Sequence, residues 1–483
     1  MKRIMAIMLT LLMIVALVGC GHKKRQPIQL TLSTEDAEAI LKAAGISLPD
    51  AESAEGAGTK VQWFGWSDPF QNYNETEIVN TGFWTFTEKY GNTFEFVEAG
   101  DYFSANDDLA NLIMAGTPPD CMTGGTNSTA SFPMKAIKGT SQAVDQWIDY
   151  DDPLWAPMKG VAEKYLLGGK HYQICMQTKP SNVCVYNRRV TEEWGFDDPA
   201  ELYWNDEWTW DKFFDMCVEF SDPDDDRFAL DGYAFTGMFI ESTGQQVLQI
   251  DANGKYYSNL DSPQIERGQN YLYDLLKNDC CYGRGSWSLR DNATFGAGLK
   301  DGKCLFYVIG ESFFTAPVEE IEAVWGDITN GEVMFAPLPR DAQGDGVYYM
   351  SSSFEDVKGS MIIINGAKNP AGAALLASCI RFKVIDPTVI NIDKKQMMNT
   401  YKWSEEMLDM SDECQKIAQA NFIIDLTGNL PDGLQSVHDR LGNGIIRGGS
   451  NPSSWAQLKE ANQESFEYYI EELNALIDEY NNA

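Results

Sequence analysis

The side chains most able to recognise a small molecule are aromatic, and the chain carries many of them: 13 Trp, 21 Tyr and 24 Phe. Trp66, Phe239, Trp287, Phe313 and Tyr348 fall in loops or at strand ends, where a ring face can meet a ligand. Polar groups stand beside several of them. Ser67 and Asp68 follow Trp66, Glu241 follows Phe239, and Glu311 and Ser312 precede Phe313. Ring faces pack on the C–H faces of a pyranose, while carboxylates such as Asp68, Glu241 and Glu311 take up its hydroxyls. That set suits non-covalent carbohydrate recognition.

Covalent chemistry finds less support. The chain has three histidines, one of them His22, and no H-E-x-x-H, G-x-S-x-G or phosphate-binding loop. A secreted glycoside hydrolase would need two carboxylates across a cleft, and nothing here singles out a pair. The run from Asp222 to Gly232, DPDDDRFALDG, alternates acids as a calcium loop does. It has Arg227 where such a loop needs glycine and Tyr233 where it needs a bidentate acid, so a solvated acidic turn is expected. No enzyme activity, cofactor or metal is expected.

The candidate groups depend on strands to place them. Val61–Trp66 is an apolar run that stops at the polar turn Ser67-Asp68-Pro69, as the first strand of an open α/β sheet would. Ligands of such sheets bind outside the carboxyl ends of strands, which is where Trp66, Ser67 and Asp68 fall. The stretch from Gly168 to Phe220 reads as a short strand, a polar turn at Thr178 to Ser181, a buried strand Asn182 to Tyr186 and a helix. Thr209 is the expected N-cap, with Trp210, Phe213, Phe214, Cys217 and Phe220 at helical spacing. Phe295–Gly310 reads as a helix, a glycine turn and a buried strand, so Glu311, Ser312 and Phe313 again follow a strand's carboxyl end. Val333–Pro339 is a strand broken by prolines, hence an edge or a crossing. Asn369 and Pro370 are the N-cap and N1 residues of a further helix.

The net charge is −34, from 37 Lys and Arg against 71 Asp and Glu. Repulsion of phosphates makes a nucleic-acid partner untenable. Lys2 and Arg3 precede an apolar run Ile4–Val18, too short for a comfortable membrane span. The run ends Leu17-Val18-Gly19-Cys20, which resembles a bacterial lipobox. That resemblance implies a signal peptide over residues 1–20 and a diacylglycerol on Cys20, anchoring the folded part to the outer face of the membrane. Residues 21–58, small and acidic with a possible helix at Thr34–Ala44, have the composition of a flexible linker. Of 10 cysteines, nine remain after Cys20, an odd number that argues against a fully paired disulfide framework.

Five separated motifs occur in a recognisable order. They are the Gly168–Lys170 turn leading through Tyr186-Asn187 to Asp197-Asp198-Pro199 and Thr209-Trp210-Asp211; Ala115 to Asp120, AGTPPD; Asp251 to Lys255 followed by Ser262-Pro263; Phe295 to Gly310; and Lys368-Asn369-Pro370 before an alanine-rich helix. Together they resemble the family 1 extracellular solute-binding proteins, the sugar-capturing subunits of ABC importers. The resemblance covers about Lys60 to the end.

It implies an α/β, two-lobed periplasmic-binding-protein-like fold with a central cleft and hinge strands. Lobe 1 is expected at 59–173 plus 346–392, and lobe 2 at 174–345 plus 393–483. In the family, the residues just past the Asp120 position face the cleft, which brings in Thr123, Gly124, Gly125 and Asn127 as ligand contacts; Asp120 itself is expected to hold its turn. The implied partners are a carbohydrate and the transmembrane subunits of an ABC permease, with the receptor a monomer. A ligand-sensing receptor for a membrane kinase would share this fold, and a secreted glycoside hydrolase is the remaining alternative.

Overall fold

The computed structural model describes residues 34–66, 68–70, 78–100, 104–124, 132–232, 235–251, 253–282, 294–352, 359–424, 426, 430–447 and 452–482. Its first sheet contains β1 (Lys60–Gly65), β2 (Thr93–Glu98), β3 (Cys121–Thr123), β4 (Ile174–Cys175) and a later strand, Ser360–Ile363. The spatial order is β2, β1, β3, Ser360–Ile363, β4, with β1 parallel to both β2 and β3 and the later strand antiparallel to its neighbours. Val61, Trp63 and Phe64 are buried, as an α/β strand covered on both faces requires.

The second sheet is built from β5 (Val183–Asn187), β6 (Phe228–Gly232), β7 (Cys304–Ile309) and β8 (Val333–Ala336), in the order β8, β5, β7, β6. β7 is buried along its whole length, parallel to β6 and antiparallel to β5. A further strand, β9 (Met350–Ser352), pairs in parallel with Phe422–Ile424, and Ser360–Ile363 is β10. The helix Trp210–Phe220 begins as expected. Thr209 Oγ1 accepts from the Lys212 amide, and Trp210, Phe213, Met216, Cys217 and Phe220 are buried against the sheet.

The chain passes between the two sheets repeatedly. Residues 176–182 lead from β4 to β5, and the return runs from β9 to β10. The first crossing lies beside the residues that flank the second: the Met176 amide donates to Gly359 O at 2.8 Å and the Ser181 amide to Ser351 O at 3.0 Å. Arg381 pins the first crossing to lobe 1. Its buried guanidinium donates to Met176 O at 2.7 Å and to Leu154 O at 3.0 Å, and burial pulls its pKa down to about 10.

The crossings also move the expected lobe limits. β9 pairs with Phe422–Ile424 and packs on the helix Glu405–Ala420, both on the second-lobe side, so the chain re-enters lobe 1 nearer 359 than 346. The helix Pro387–Thr400 still packs on the lobe 1 helices Pro370–Ile385 and Ile78–Trp84, which carries lobe 1 to about residue 400 rather than 392.

The linker expectation is corrected for its described part. The helix Thr34–Ala43 forms and buries its Leu41, and beyond it Ile46, Leu48, Ala51, Ala54 and Ala57 pack on the core. Pro49 O accepts from the Tyr90 hydroxyl at 2.8 Å, and Gly56 O from Asn92 Nδ2 at 2.8 Å. At Gly56, φ is +83° and a Cβ would stand 2.5 Å from the Ala371 carbonyl carbon. The small residues that read as a tether are the ones that let two backbones touch.

Asp120 has the structural role expected of it. Its Oδ2 accepts from the Gln62 amide at 2.8 Å and its Oδ1 from the Asn369 amide at 2.7 Å, tying β1 and β3 to the start of the helix Pro370–Ile385. That helix does begin at Asn369-Pro370, but the Asn369 side chain makes no cap bond and donates to Lys60 O instead. The nine described cysteines are all free and buried. Cys20 lies outside the described residues.

Candidate ligand cleft

β1 and β3 end at Gly65 and Thr123 on one side of the crossings, and β6 and β7 at Gly232 and Ile309 on the other. Two large aromatics at these ends are exposed where most of their kind are buried: Trp66 at 53% and Phe313 at 39%. Phe313 sits on a single 3-10 turn, Glu311–Phe314, that follows β7. Phe314 goes into the core against Trp325, which leaves Phe313 outward with an edge contact to Phe295 at 5.2 Å. Asp68 forms its own turn, Oδ1 accepting from the Phe70 amide at 2.9 Å. Ser312 is exposed and Thr123 half-buried.

Four expected contacts have other occupations in this conformation. Phe239 is fully buried between Phe213 and Tyr271 in the second core, because the helix Phe235–Glu241 turns that face inward. Tyr348 is buried too, its ring against Tyr203 and its hydroxyl donating to Trp208 O at 2.9 Å. Gly124 is a packing glycine: a Cβ there would stand 2.3 Å from Ser360 Oγ. Glu311 is buried at 8% and already has a hydroxyl, Ser411 Oγ, donating to it at 2.7 Å. Ser67, Gly125, Asn127 and Trp287 lie outside the described residues.

Glu241 lines a small cavity of about 100 Å³ together with Gln246, His438, Asp439 and Asn443. The last three come from the helix Asp432–Arg447. His438 Nδ1 is sealed from solvent without a hydrogen-bond partner among the described residues, and Asp439 Oδ1 stands 3.8 Å from it. A larger cavity of about 590 Å³ lies between the helices Trp210–Phe220 and Pro263–Lys277, lined from the second lobe alone. It is not between the sheets.

Two ionic features were misjudged or missed by sequence reasoning. Arg227, read as breaking a calcium loop, bonds back to Asp222 Oδ2 at 3.1 Å and to Asp225, so the acidic turn is internally compensated rather than merely solvated. Lys135 is 4% exposed, donating to Asn106 Oδ1 at 3.2 Å on the helix Ala105–Met114. Burial, with a contribution from Lys138, lowers its pKa to about 7. Nothing around Lys135 in the sequence distinguishes it from a surface lysine. Among the described residues no group of His, Cys, Asp and Glu is placed to hold a metal ion.

Residues 83–382 match the family described as bacterial extracellular solute-binding protein. The chain belongs to that family. Solved structures with the same two-lobed fold include the galacto-N-biose/lacto-N-biose I-binding protein of an ABC transporter from Bifidobacterium longum in complex with lacto-N-biose. It is 16% identical, with a TM-score of 0.58, over 86% of this chain and 98% of that one. The cyclic α-maltosyl-1,6-maltose binding protein of Arthrobacter globiformis is 13% identical, with a TM-score of 0.59, over 85% and 98%. A sugar transporter protein from Rhizobium etli in an open conformation is 14% identical, with a TM-score of 0.59, over 85% and 99%. No curated protein matches by sequence. Among the described residues of this solute-binding protein, no helix is long and apolar enough to cross a membrane.

Proposed function

We propose that this solute-binding protein is a lipid-anchored receptor outside the cell membrane. It captures a sugar or oligosaccharide between its lobes and delivers it to the permease of an ABC importer, without altering the ligand's covalent bonds. Anchoring through Cys20, a monomeric state and the permease partner belong to this reading. The observation that carries it is the pair of outward rings, Trp66 at the end of β1 and Phe313 just past β7, one on each lobe at its strand ends. Lobe closure around the crossings would bring such rings onto a guest. Solved structures of this fold hold lacto-N-biose and other saccharides, which agrees with the same ligand class here.

Ligand that binds only the folded state raises the melting temperature, so a thermal-shift screen of mono- and oligosaccharides, peptides and divalent cations tests the reading. At least one saccharide is expected to stabilise the protein. A response to peptides or cations with none to any saccharide refutes the substrate class. Trp66→Ala and Phe313→Ala should each weaken saccharide binding by about 1–3 kcal/mol, the burial worth of one ring. Calorimetric titration showing unchanged affinity in both removes these residues from the site.

A further inference from the structure

Two polar atoms flank the connection between the sheets, sealed from solvent and without a hydrogen-bond partner among the described residues: Gln173 Oε1 just before β4 and Ser181 Oγ shortly before β5. Folded proteins rarely leave such atoms unpaired, and the exceptions call for a reason. Their positions supply one. Gln173 is 2% exposed, and its Nε2 donates to Ser360 Oγ at 2.8 Å on β10. The same carboxamide lies against Gly124, where a Cβ would meet its nitrogen at 3.0 Å. Gly124 directly follows β3, so Gln173 Oε1 lies at the strand ends of lobe 1. Ser181 occupies the matching place in lobe 2. Its amide donates to Ser351 O at 3.0 Å, and its carbonyl lies 3.3 Å from where a Gly310 Cβ would be. Gly310 caps the turn that presents Phe313.

We infer that Gln173 and Ser181 are ligand-positioning residues at the floor of the cleft, each held for a hydroxyl of a bound polyol. This inference rests on the carbohydrate reading and deepens it. Gln173 Oε1 can only accept, so it takes a hydroxyl proton; Ser181 Oγ can accept or donate. Neither atom carries charge, and a neutral polyhydroxylated ligand is the class that satisfies an amide oxygen and a hydroxyl together. Gln173 is fixed to the first sheet just before β4, and Ser181 lies at the far end of the crossing, so a ligand that bonds both ties the two ends of that connection together. Saccharide affinity would thereby depend on atoms sealed from solvent in the unliganded molecule.

The test uses Ser181→Ala and Gln173→Leu in the full chain, with maltotriose, lacto-N-biose and maltotetraose as probes. Removing an unpaired buried polar atom should leave the unliganded melting temperature equal or higher, most clearly for Ser181→Ala. Affinity for whichever probe stabilises the wild type should fall about tenfold, the loss of one net hydrogen bond. Wild-type binding with affinity unchanged in both variants overturns the inference and leaves the carbohydrate reading intact. Melting temperatures that fall in parallel with affinity also overturn it, since the groups would then be structural. If no saccharide stabilises the wild type, the carbohydrate reading falls and takes this inference with it.

Discussion

Replacing Asp120 tests whether one buried carboxylate holds lobe 1 together. The residue is 1% exposed, and its two oxygens accept from the amides of Gln62 at 2.8 Å and Asn369 at 2.7 Å. The second of these amides opens the 16-residue helix Pro370–Ile385, so the charge also faces a helix N-terminus. Hydrogen bonds to a charged group contribute about 1.5–3 kcal/mol each, so Asp120→Ala should cost about 3–6 kcal/mol. Asp120→Asn keeps one acceptor oxygen, now uncharged, and turns an NH2 toward the other amide; about half that loss is expected. For a unit of 150–250 residues, 3 kcal/mol corresponds to a fall in Tm of roughly 6–12 °C. Urea unfolding followed by tryptophan fluorescence measures it, Trp63 being buried in the same lobe. The lobes can unfold in separate transitions, so the earlier transition is the one to follow. If both variants unfold within about 1 kcal/mol of the wild type, the carboxylate does not hold these elements and the reasoning fails.

Three further outcomes follow from buried groups. Lys135 has a folded pKa of about 7, below the ordinary lysine value near 10.4, so between those values the unfolded chain binds the extra proton and stability rises with pH. The stability difference between wild type and Lys135→Met should therefore grow in the wild type's favour from about pH 7 to 9, and a difference independent of pH refutes it. Gly56→Val should lower the Tm markedly, since its Cβ would stand 2.5 Å from backbone at φ +83°, whereas Gly58→Ala at φ +70° meets open space and should cost only the backbone strain of about 1–2 kcal/mol. Equal melting of both variants would return residues 39–58 to the status of a tether. Arg381→Met strips partners from the buried carbonyls of Leu154 and Met176 and should destabilise by about 2–5 kcal/mol in denaturant unfolding; a neutral result would refute its role as the pin of the crossing.

The elements legible in the sequence are those whose signal is local. Thr209 before Trp210, and Pro370 after Asn369, announce helix starts through the geometry of a few neighbouring bonds, and both helices begin there. A wholly apolar run such as Cys304–Ile309 can only be a buried strand in a chain this polar. The strand-end rule then located the exposed Trp66 and Phe313 without knowledge of any partner strand. It failed at Phe239 and Tyr348 because a ring's exposure depends on which face of its element meets another. The face of Phe235–Glu241 that carries Phe239 is decided by Phe213 and Tyr271, 26 and 32 residues away in the chain.

Composition misled in residues 39–58 for a related reason. Glycine and alanine serve equally where the chain must be loose and where two backbones must touch, and only the presence of Ala371 against Gly56 separates the cases. The same degeneracy hides the polar floor of the cleft. Glutamine at 173 and serine at 181 look in sequence like any residues of a polar turn. What marks them is a deficit combined with a place: Oε1 of Gln173 and Oγ of Ser181 find no partner among the described residues, a state they share with other buried atoms such as Ser141 Oγ and Gln269 Oε1, and these two lie beside Gly124 and Gly310 at strand ends. An unmet bond is a property of the assembled lobes and of no single stretch of chain. A receptor's specificity can therefore rest on residues that the sequence gives no reason to suspect, held ready by a fold whose outline the sequence makes plain.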